Sequence, residues 1–359
     1  MQAKKLIVNI LKALLFAGIG ATILYLLYRG QNVEYQLFCQ EEGIAEENCS
    51  LLQKIWKDFQ SVNYLWIFII IGCYTISNFS RAARWLMLIR PLGYQARFWN
   101  AFFTIMLGYF TNLGIPRIGE FIRAASMSRY EKIPTEKLVG TIVVGRTFDF
   151  IMLFTAMGLA FLLEFDTLWN YLVANFDLSA KFGGLLSSNL LGILIGVAVM
   201  SLVLFYVFKT KIQSLSIYQK GLDILKGFAD GIQSIRKLER PWLFLFHTVN
   251  IWIMYFLMTY LAFFAFEPTS GLSPVAGLMI FIFGAFGFVV PAPGGMGAYQ
   301  FFVTEGLAIY GINGNDAFSF ANIIFFSLQI GSNVLLGLIS LVALPLLNRG
   351  TKREEEVIN

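Results

Sequence analysis

Two charged residues stand three apart in an otherwise apolar run, Arg146 and Asp149 in Val143-Val144-Gly145-Arg146-Thr147-Phe148-Asp149-Phe150. A helix puts such a pair on one face. An ionisable group held in hydrocarbon is costly and turns toward the protein interior or a watery cavity. Two chemistries fit. Arg146 can neutralise a phosphate while Asp149 orients it, or the two can form a self-contained structural ion pair. A second concentration is Asn112-Leu113-Gly114-Ile115-Pro116-Arg117-Ile118-Gly119-Glu120, followed by Arg123. The planar guanidinium fork matches phosphate oxygens, although Arg117, Glu120 and Arg123 would equally suit a solvated amphipathic loop. A third is Pro291-Ala292-Pro293-Gly294-Gly295-Met296-Gly297, with Gln300 one turn on.

Proline removes a backbone donor and clashes with the preceding turn, and glycine reaches backbone angles closed to other residues. Both stretches therefore read as breaks between helices. Such backbone cannot face lipid and must line protein or a cavity. A helix restarting after each break would aim its N-terminus, with free N–H groups and a positive dipole end, at an anion. An ordinary surface loop is the other reading, stronger for 114–120 than for 291–297. Asn112, Arg117, Gly119, Glu120, Arg123, Arg146, Asp149, Pro293, Gly294, Gly295, Gly297 and Gln300 are the candidate substrate-binding residues.

No catalytic constellation is found: the chain lacks a DxD or His-Asp cluster, and the pairs Glu41-Glu42 and Glu46-Glu47 fit a solvated acidic loop. His247 is the only histidine. It cannot build a metal site alone and is expected to make an interhelical hydrogen bond. No metal or cofactor is expected. Asn322, Gln329 and Asn333 read as polar glue between helices. Cys39 and Cys49 lie in one acidic loop and are expected to pair if that loop meets an oxidising compartment. Cys73 reads as a small apolar filler.

The elements that must position these groups are membrane helices. Hydrophobic residues make up 57% of 359 and charged residues 14%, against roughly a quarter charged in soluble domains. The mean hydropathy is +0.67. The apolar residues come in long blocks, as helices crossing a bilayer must, and the alternating segments of an outer-membrane barrel are absent. The net charge of +5 gives no nucleic-acid signal, because the basic residues sit in short loops. The expected fold is all-α: a polytopic membrane protein with six full spans (6–28, 61–80, 138–163, 185–208, 242–266 and 317–347) and two broken, re-entrant elements at 98–113 and 275–311. The first block is read as an uncleaved span, since no A-x-A cleavage site follows it.

Of the 27 Lys and Arg residues, three, Lys54, Lys57 and Lys181, fall in the acidic loops 30–60 and 164–184. By the positive-inside rule those loops are external. The basic loops 81–97, 114–137 and 209–241 are internal, and both termini are cytoplasmic. The order is then span, span, cytoplasmic re-entrant, span, repeated as span, span, external re-entrant, span. Residues 1–347 form one membrane domain of two halves, about 1–163 and 185–347, with a tail at 348–359. Inverted repeats with interrupted helices at equivalent positions mark the central site of many transporters.

Pro116-Arg117-Ile118-Gly119-Glu120-Phe121-Ile122-Arg123 and Pro293-Gly294-Gly295-Met296-Gly297 resemble the flippase-like family named for the transmembrane region of lysylphosphatidylglycerol synthases. Arg84-Trp85 and the Arg146/Asp149 pair fit its pattern, and the resemblance covers about 6–347. It implies an inner-membrane protein that moves lipids between leaflets, here a stand-alone member without the aminoacyl transferase domain some members carry. Gln300 stands where many members have Glu, which counts against proton coupling there. The leading expectation is translocation of a phospholipid or polyprenyl-linked anionic lipid. The alternatives are a non-catalytic membrane subunit supporting a partner enzyme, or an integral membrane lipid-phosphate transferase.

Overall fold

In a computed structural model, residues 49–167 (Pro116 apart) and 238–349 (Pro291 apart) are described, with residue 170 and scattered positions between 22 and 40. The expected span 6–28 falls almost wholly, and the span 185–208 wholly, outside these residues, as do most of the loops 164–184 and 209–241. Among the described residues every regular element is helical. In chain order they are α1 (Leu51–Ser61), α2 (Tyr64–Ile89), α3 (Phe98–Asn112), α4 (Gly119–Glu131), α5 (Thr135–Leu163), α6 (Pro241–Ala262), α7 (Pro274–Val289), α8 (Ala298–Ala308), α9 (Gly314–Ile324) and α10 (Asn333–Leu347). A π-helical segment, Phe325–Ser332, joins the last two.

Local chemistry sets the boundaries. Ser50, Asn63, Ser273 and Asn313 each accept a backbone N–H from the first turn that follows, the preferred N-cap arrangement. Pro241 and Pro274 open α6 and α7, where a missing N–H costs nothing. Lys132 closes α4 in the left-handed region, at φ 57°.

Four helical stretches are long and apolar enough to cross a membrane: Tyr64–Leu92, Thr135–Leu163, Pro241–Ala265 and Gly314–Leu347, of 29, 29, 25 and 34 residues. Each exceeds the roughly 20 residues a bilayer requires. Their outward faces are apolar, with Phe68, Phe154 and Trp242 well exposed. The protein is a multi-pass membrane protein.

The structure corrects three boundaries. Arg81 and Arg84 are not in a loop: α2 continues through them to Ile89, and both are buried. The loop reading stopped the span at its first charge, whereas these guanidiniums have partners inside the protein. The stretch 114–137 is not a loop either. It contains α4, whose charged residues hide the helix while Ala124 and Met127 bury its inner side. Residues 51–61 of the acidic stretch form α1. The last span is also not uniformly α, because of its π segment.

Most described elements belong to one compact unit of residues 1–160 and 238–359; residues 161–237 form a second. In the first unit α2 packs along α6, and α3 along α10, so partners from both ends of the chain interleave. The close approach of α3 and α10 needs Gly337, where a Cβ would lie 2.4 Å from Cβ of Phe110. Polar ties join α2 to α10 and α3 to the end of α10. The Tyr74 hydroxyl donates to Asn333 Oδ1, and Asn348 Nδ2 donates to Asn100 Oδ1 at 2.9 Å.

Candidate functional site

One side of α2 carries Tyr74, Ser77, Asn78, Arg81, Arg84, Trp85 and Leu88, all buried. They recur at three- and four-residue steps, which a helix gathers into one stripe. This stripe delivers two arginines to Asp149 of α5. Arg81 Nη1 donates to Asp149 Oδ2 at 3.0 Å, and Arg84 Nη2 donates to Asp149 Oδ1 at 2.8 Å. From α6, the Tyr255 hydroxyl accepts from Arg81 Nη2 at 2.7 Å and Thr248 Oγ1 accepts from Arg84 Nη1 at 3.3 Å. Trp85 Nε1 donates to Thr141 Oγ1 at 2.9 Å.

Helix α4 adds the next layer. Glu120 and Arg123 are three apart, on one face. The Arg123 guanidinium carbon lies 3.7 Å from the centre of the Trp85 ring, within cation–π range. Glu120 Oε1 accepts from Arg146 Nε at 2.5 Å. Arg81, Arg84, Trp85, Arg123, Arg146 and Asp149 together line a small, half-open cavity. Among the described residues, four guanidiniums here face two carboxylates. Nε of Arg81 and Nε of Arg123 are buried without an acceptor. Such an arrangement is electropositive, shielded from water and rich in N–H donors, which suits an oxyanion. Among the described residues no group of His, Cys, Asp and Glu side chains could hold a metal ion.

The two broken stretches form helical hairpins, α3–α4 and α7–α8, and the same devices build both. In the first, Gly119 packs on the backbone of α3: a Cβ there would lie 2.1 Å from the Gly108 carbonyl oxygen. In the second, a Cβ on Gly287 would lie 2.5 Å from Cα of Tyr299. At the first turn Asn112 Oδ1 accepts from Gly119 N at 2.7 Å. At the second, Gln300 Oε1 accepts from Gly297 N at 2.8 Å. Gly294, Gly295 and Gly297 hold φ of 58°, 79° and 80°, angles that favour glycine. The tips meet. Arg117 Nη2 donates to the Val289 carbonyl at 3.1 Å, and a Cβ on Gly294 would lie 3.0 Å from Cδ2 of Leu113.

The candidate residues thus separate into two groups. Arg123, Arg146 and Asp149 line the cavity, with Glu120 held through Arg146. Asn112, Gly119, Pro293, Gly294, Gly295, Gly297 and Gln300 shape the hairpin turns. Arg117 does not line the cavity; at φ 65° it reaches across to the other hairpin. The expectation that free N–H groups greet an anion at each restarting helix is altered at Gly119 and Gly297, where side chains already accept from the amides. The Arg146–Asp149 pair is likewise not self-contained. The two stand 3.8 Å apart, while each makes shorter bonds elsewhere.

Sequence reasoning missed Arg81, Thr248 and Tyr255 as site residues, and had Arg84 only as part of the Arg84-Trp85 element of the family resemblance. The helical recurrence of polar residues from Ser77 to Trp85 was the available signal. The hydrogen bond expected of His247 is made instead by Asn250, whose Nδ2 donates to Ser80 Oγ at 2.8 Å. Nδ1 of His247 is buried without a partner. Asn322 and Asn333 do bridge elements, accepting from Gln300 at 3.4 Å and from Tyr74. Cys39 and Cys49 are joined in a disulfide, their Cα atoms 6.1 Å apart, and Cys73 is free and buried.

No solved structure matches this chain. A UPF0104 membrane protein of Methanocaldococcus jannaschii is 33% identical over 101 residues, 27% of this chain and 30% of that protein, so the match spans under a third of the relative's length. The family described as the lysylphosphatidylglycerol synthase TM region matches residues 50–345, from the start of α1 almost to the end of α10, and takes in both hairpins and the whole arginine-lined cavity. The chain belongs to that family.

Proposed function

We propose that this protein moves an anionic lipid, or a lipid-linked anion, between the leaflets of the cytoplasmic membrane. The observation that carries the reading is the half-open cavity lined by four arginines and Asp149, with Glu120 paired to Arg146 at its edge. A soluble headgroup binder has no need to hold such a site among membrane-crossing helices, whereas a translocator must offer a charged headgroup a route through hydrocarbon.

The two hairpins support it. Their helices have 15, 13, 16 and 11 residues, none longer than about 24 Å at 1.5 Å per residue. That is short of a hydrocarbon core of about 30 Å. In this reading each hairpin enters and leaves on one side, the first from the cytoplasm and the second from outside. The two halves form an inverted repeat, and both termini are cytoplasmic. The headgroup passes by way of Arg123 and Arg146 while the acyl chains remain in lipid.

The test is leaflet exchange of fluorescent anionic lipids in vesicles containing the purified protein, read by quenching of the outer leaflet. Exchange well above protein-free vesicles, lost in a folded Arg123→Gln variant, is expected. Exchange no faster than in protein-free vesicles overturns the proposal.

A further inference from the structure

We infer that the cavity is built for a phosphate group carrying two negative charges, as in a lipid phosphomonoester, in preference to a singly charged phosphodiester. The identity of the ligand as a lipid rests on the translocation reading. The preference for a dianion rests on the charges themselves.

Those charges separate cleanly. Arg146 and Glu120 are both near two-fifths exposed and cancel each other at the cavity edge. Arg81 and Arg84 share the single carboxylate of Asp149, which leaves one positive charge over. Arg123 forms no ion pair among the described residues and lies on the Trp85 ring, leaving a second. Both residual charges sit in surroundings that water reaches poorly, where an uncompensated charge is costly. A phosphodiester would cancel one of them, and a dianion cancels both. The donors agree with the count, since Nε of Arg81 and of Arg123 are buried with no acceptor. A terminal phosphate has three oxygens to offer, whereas a diester has two free ones.

The dianion exists only above the second ionisation of a phosphomonoester, near pH 6, so binding must strengthen as pH rises through that value. The groups facing the cavity do not mimic this. Arg81, Arg84, Arg123 and Arg146 stay charged, and Tyr255 of α6, which accepts from Arg81, is a phenol, a group that ordinarily ionises near pH 10, above both pH values of the test. His247 of α6 is an electrostatic neighbour of Arg84, and its protonation at low pH would add positive charge and favour anions there, the opposite trend. Glu120 and Asp149 are the carboxylates present. A carboxylate that took up a proton there would leave more positive charge, again opposing the trend.

The experiment uses the full chain in nanodiscs of zwitterionic lipid and measures binding at pH 5.5 and pH 8. The probes are inorganic phosphate, pyrophosphate, phosphatidic acid and phosphatidylglycerol. At pH 8 phosphatidic acid should bind at least about tenfold tighter than phosphatidylglycerol, a difference of about 1.4 kcal/mol. That preference should shrink at pH 5.5 and largely vanish in Arg123→Gln, while Arg123→Lys retains part of it. Equal affinities for the two lipids at pH 8, or a preference unchanged by pH, overturn the inference without any variant. Inorganic phosphate or pyrophosphate binding as tightly as phosphatidic acid would assign the cavity to a soluble phosphate and overturn the lipid headgroup. Dianion selectivity without leaflet exchange would keep this inference and defeat translocation. Equal exchange of both lipids, with equal affinities, would do the reverse.

Discussion

Asp149 neutralises two buried arginines at once, and that makes it the least replaceable charge among the described residues. Arg81 and Arg84 are 5% and 3% exposed, and their shared counterion is the oxygen pair of one carboxylate. Replacing Asp149 with Asn leaves both guanidiniums buried without a compensating charge, which costs roughly 3–5 kcal/mol. Arg146→Met removes only a half-exposed partner of Glu120 and should cost under about 1 kcal/mol. Thermal unfolding in detergent, followed by loss of the monodisperse peak, measures both. Comparable losses for the two variants would show that the Arg146–Asp149 contact matters more than its 3.8 Å separation implies.

At the scale of elements, the hairpins depend on the backbone approach that single glycines permit. Gly119→Ala places a methyl group 2.1 Å from a carbonyl oxygen of α3. No side-chain rotation relieves that contact, so α3 and α4 must separate, and overpacking of this kind costs about 1–3 kcal/mol or more. Gly140 of α5 supplies the control, since a Cβ there meets nothing within 4 Å. Gly140→Ala should leave stability unchanged or raise it by about 0.5–1 kcal/mol, because alanine loses less backbone freedom in a helix. Side-by-side melting curves decide it, and a Gly119→Ala protein as stable as Gly140→Ala would rule out the close hairpin. The π segment belongs to this scale too. Gln329 within it is the neighbour of Gly294, so the irregular turn of the last span stands beside the tip of the second hairpin.

At the scale of the molecule, α1 is clasped to α9, 262 positions further along. Lys54 Nζ donates to Asp58 Oδ2 at 2.7 Å and to Asp316 Oδ1 at 2.6 Å, and Ser319 Oγ donates to Asp58 Oδ2 at 2.6 Å. Burial alone would lower the Lys54 ammonium, but its bonds to Asp316 and Asp58 outweigh that and hold it above the usual lysine value. A raised pKa in the folded state means the contribution is complete below the ordinary value, about 10.4, and is lost as pH climbs through the folded one. Lys54→Met should therefore cost about 1–2 kcal/mol at pH 7 and at pH 9 alike. The gap from the parent protein should close only above about pH 10.4. A gap that closes between pH 7 and pH 9 would show that Lys54 is not held in this way.

The sequence by itself determined that this is an all-helical membrane protein, where three of its described spans lie to within three residues at each end, and that two broken stretches interrupt it. These follow from length, hydropathy and the backbone demands of Pro and Gly, which act locally. Asn112, Gly119 and Gly294 were legible as part of those breaks, and Gln300 only as a departure from the family's pattern. The partners of each charge were not. Arg81 and Arg84 read as loop residues until the fold showed α2 continuing past them, and Asp149 read as the partner of Arg146 because sequence displays neighbours three apart and not those 65 or 68 apart. Which arginine is neutralised and which is left over depends on distances between helices. Tertiary packing alone sets those distances, and with them the charge of the cavity and the chemistry it can hold.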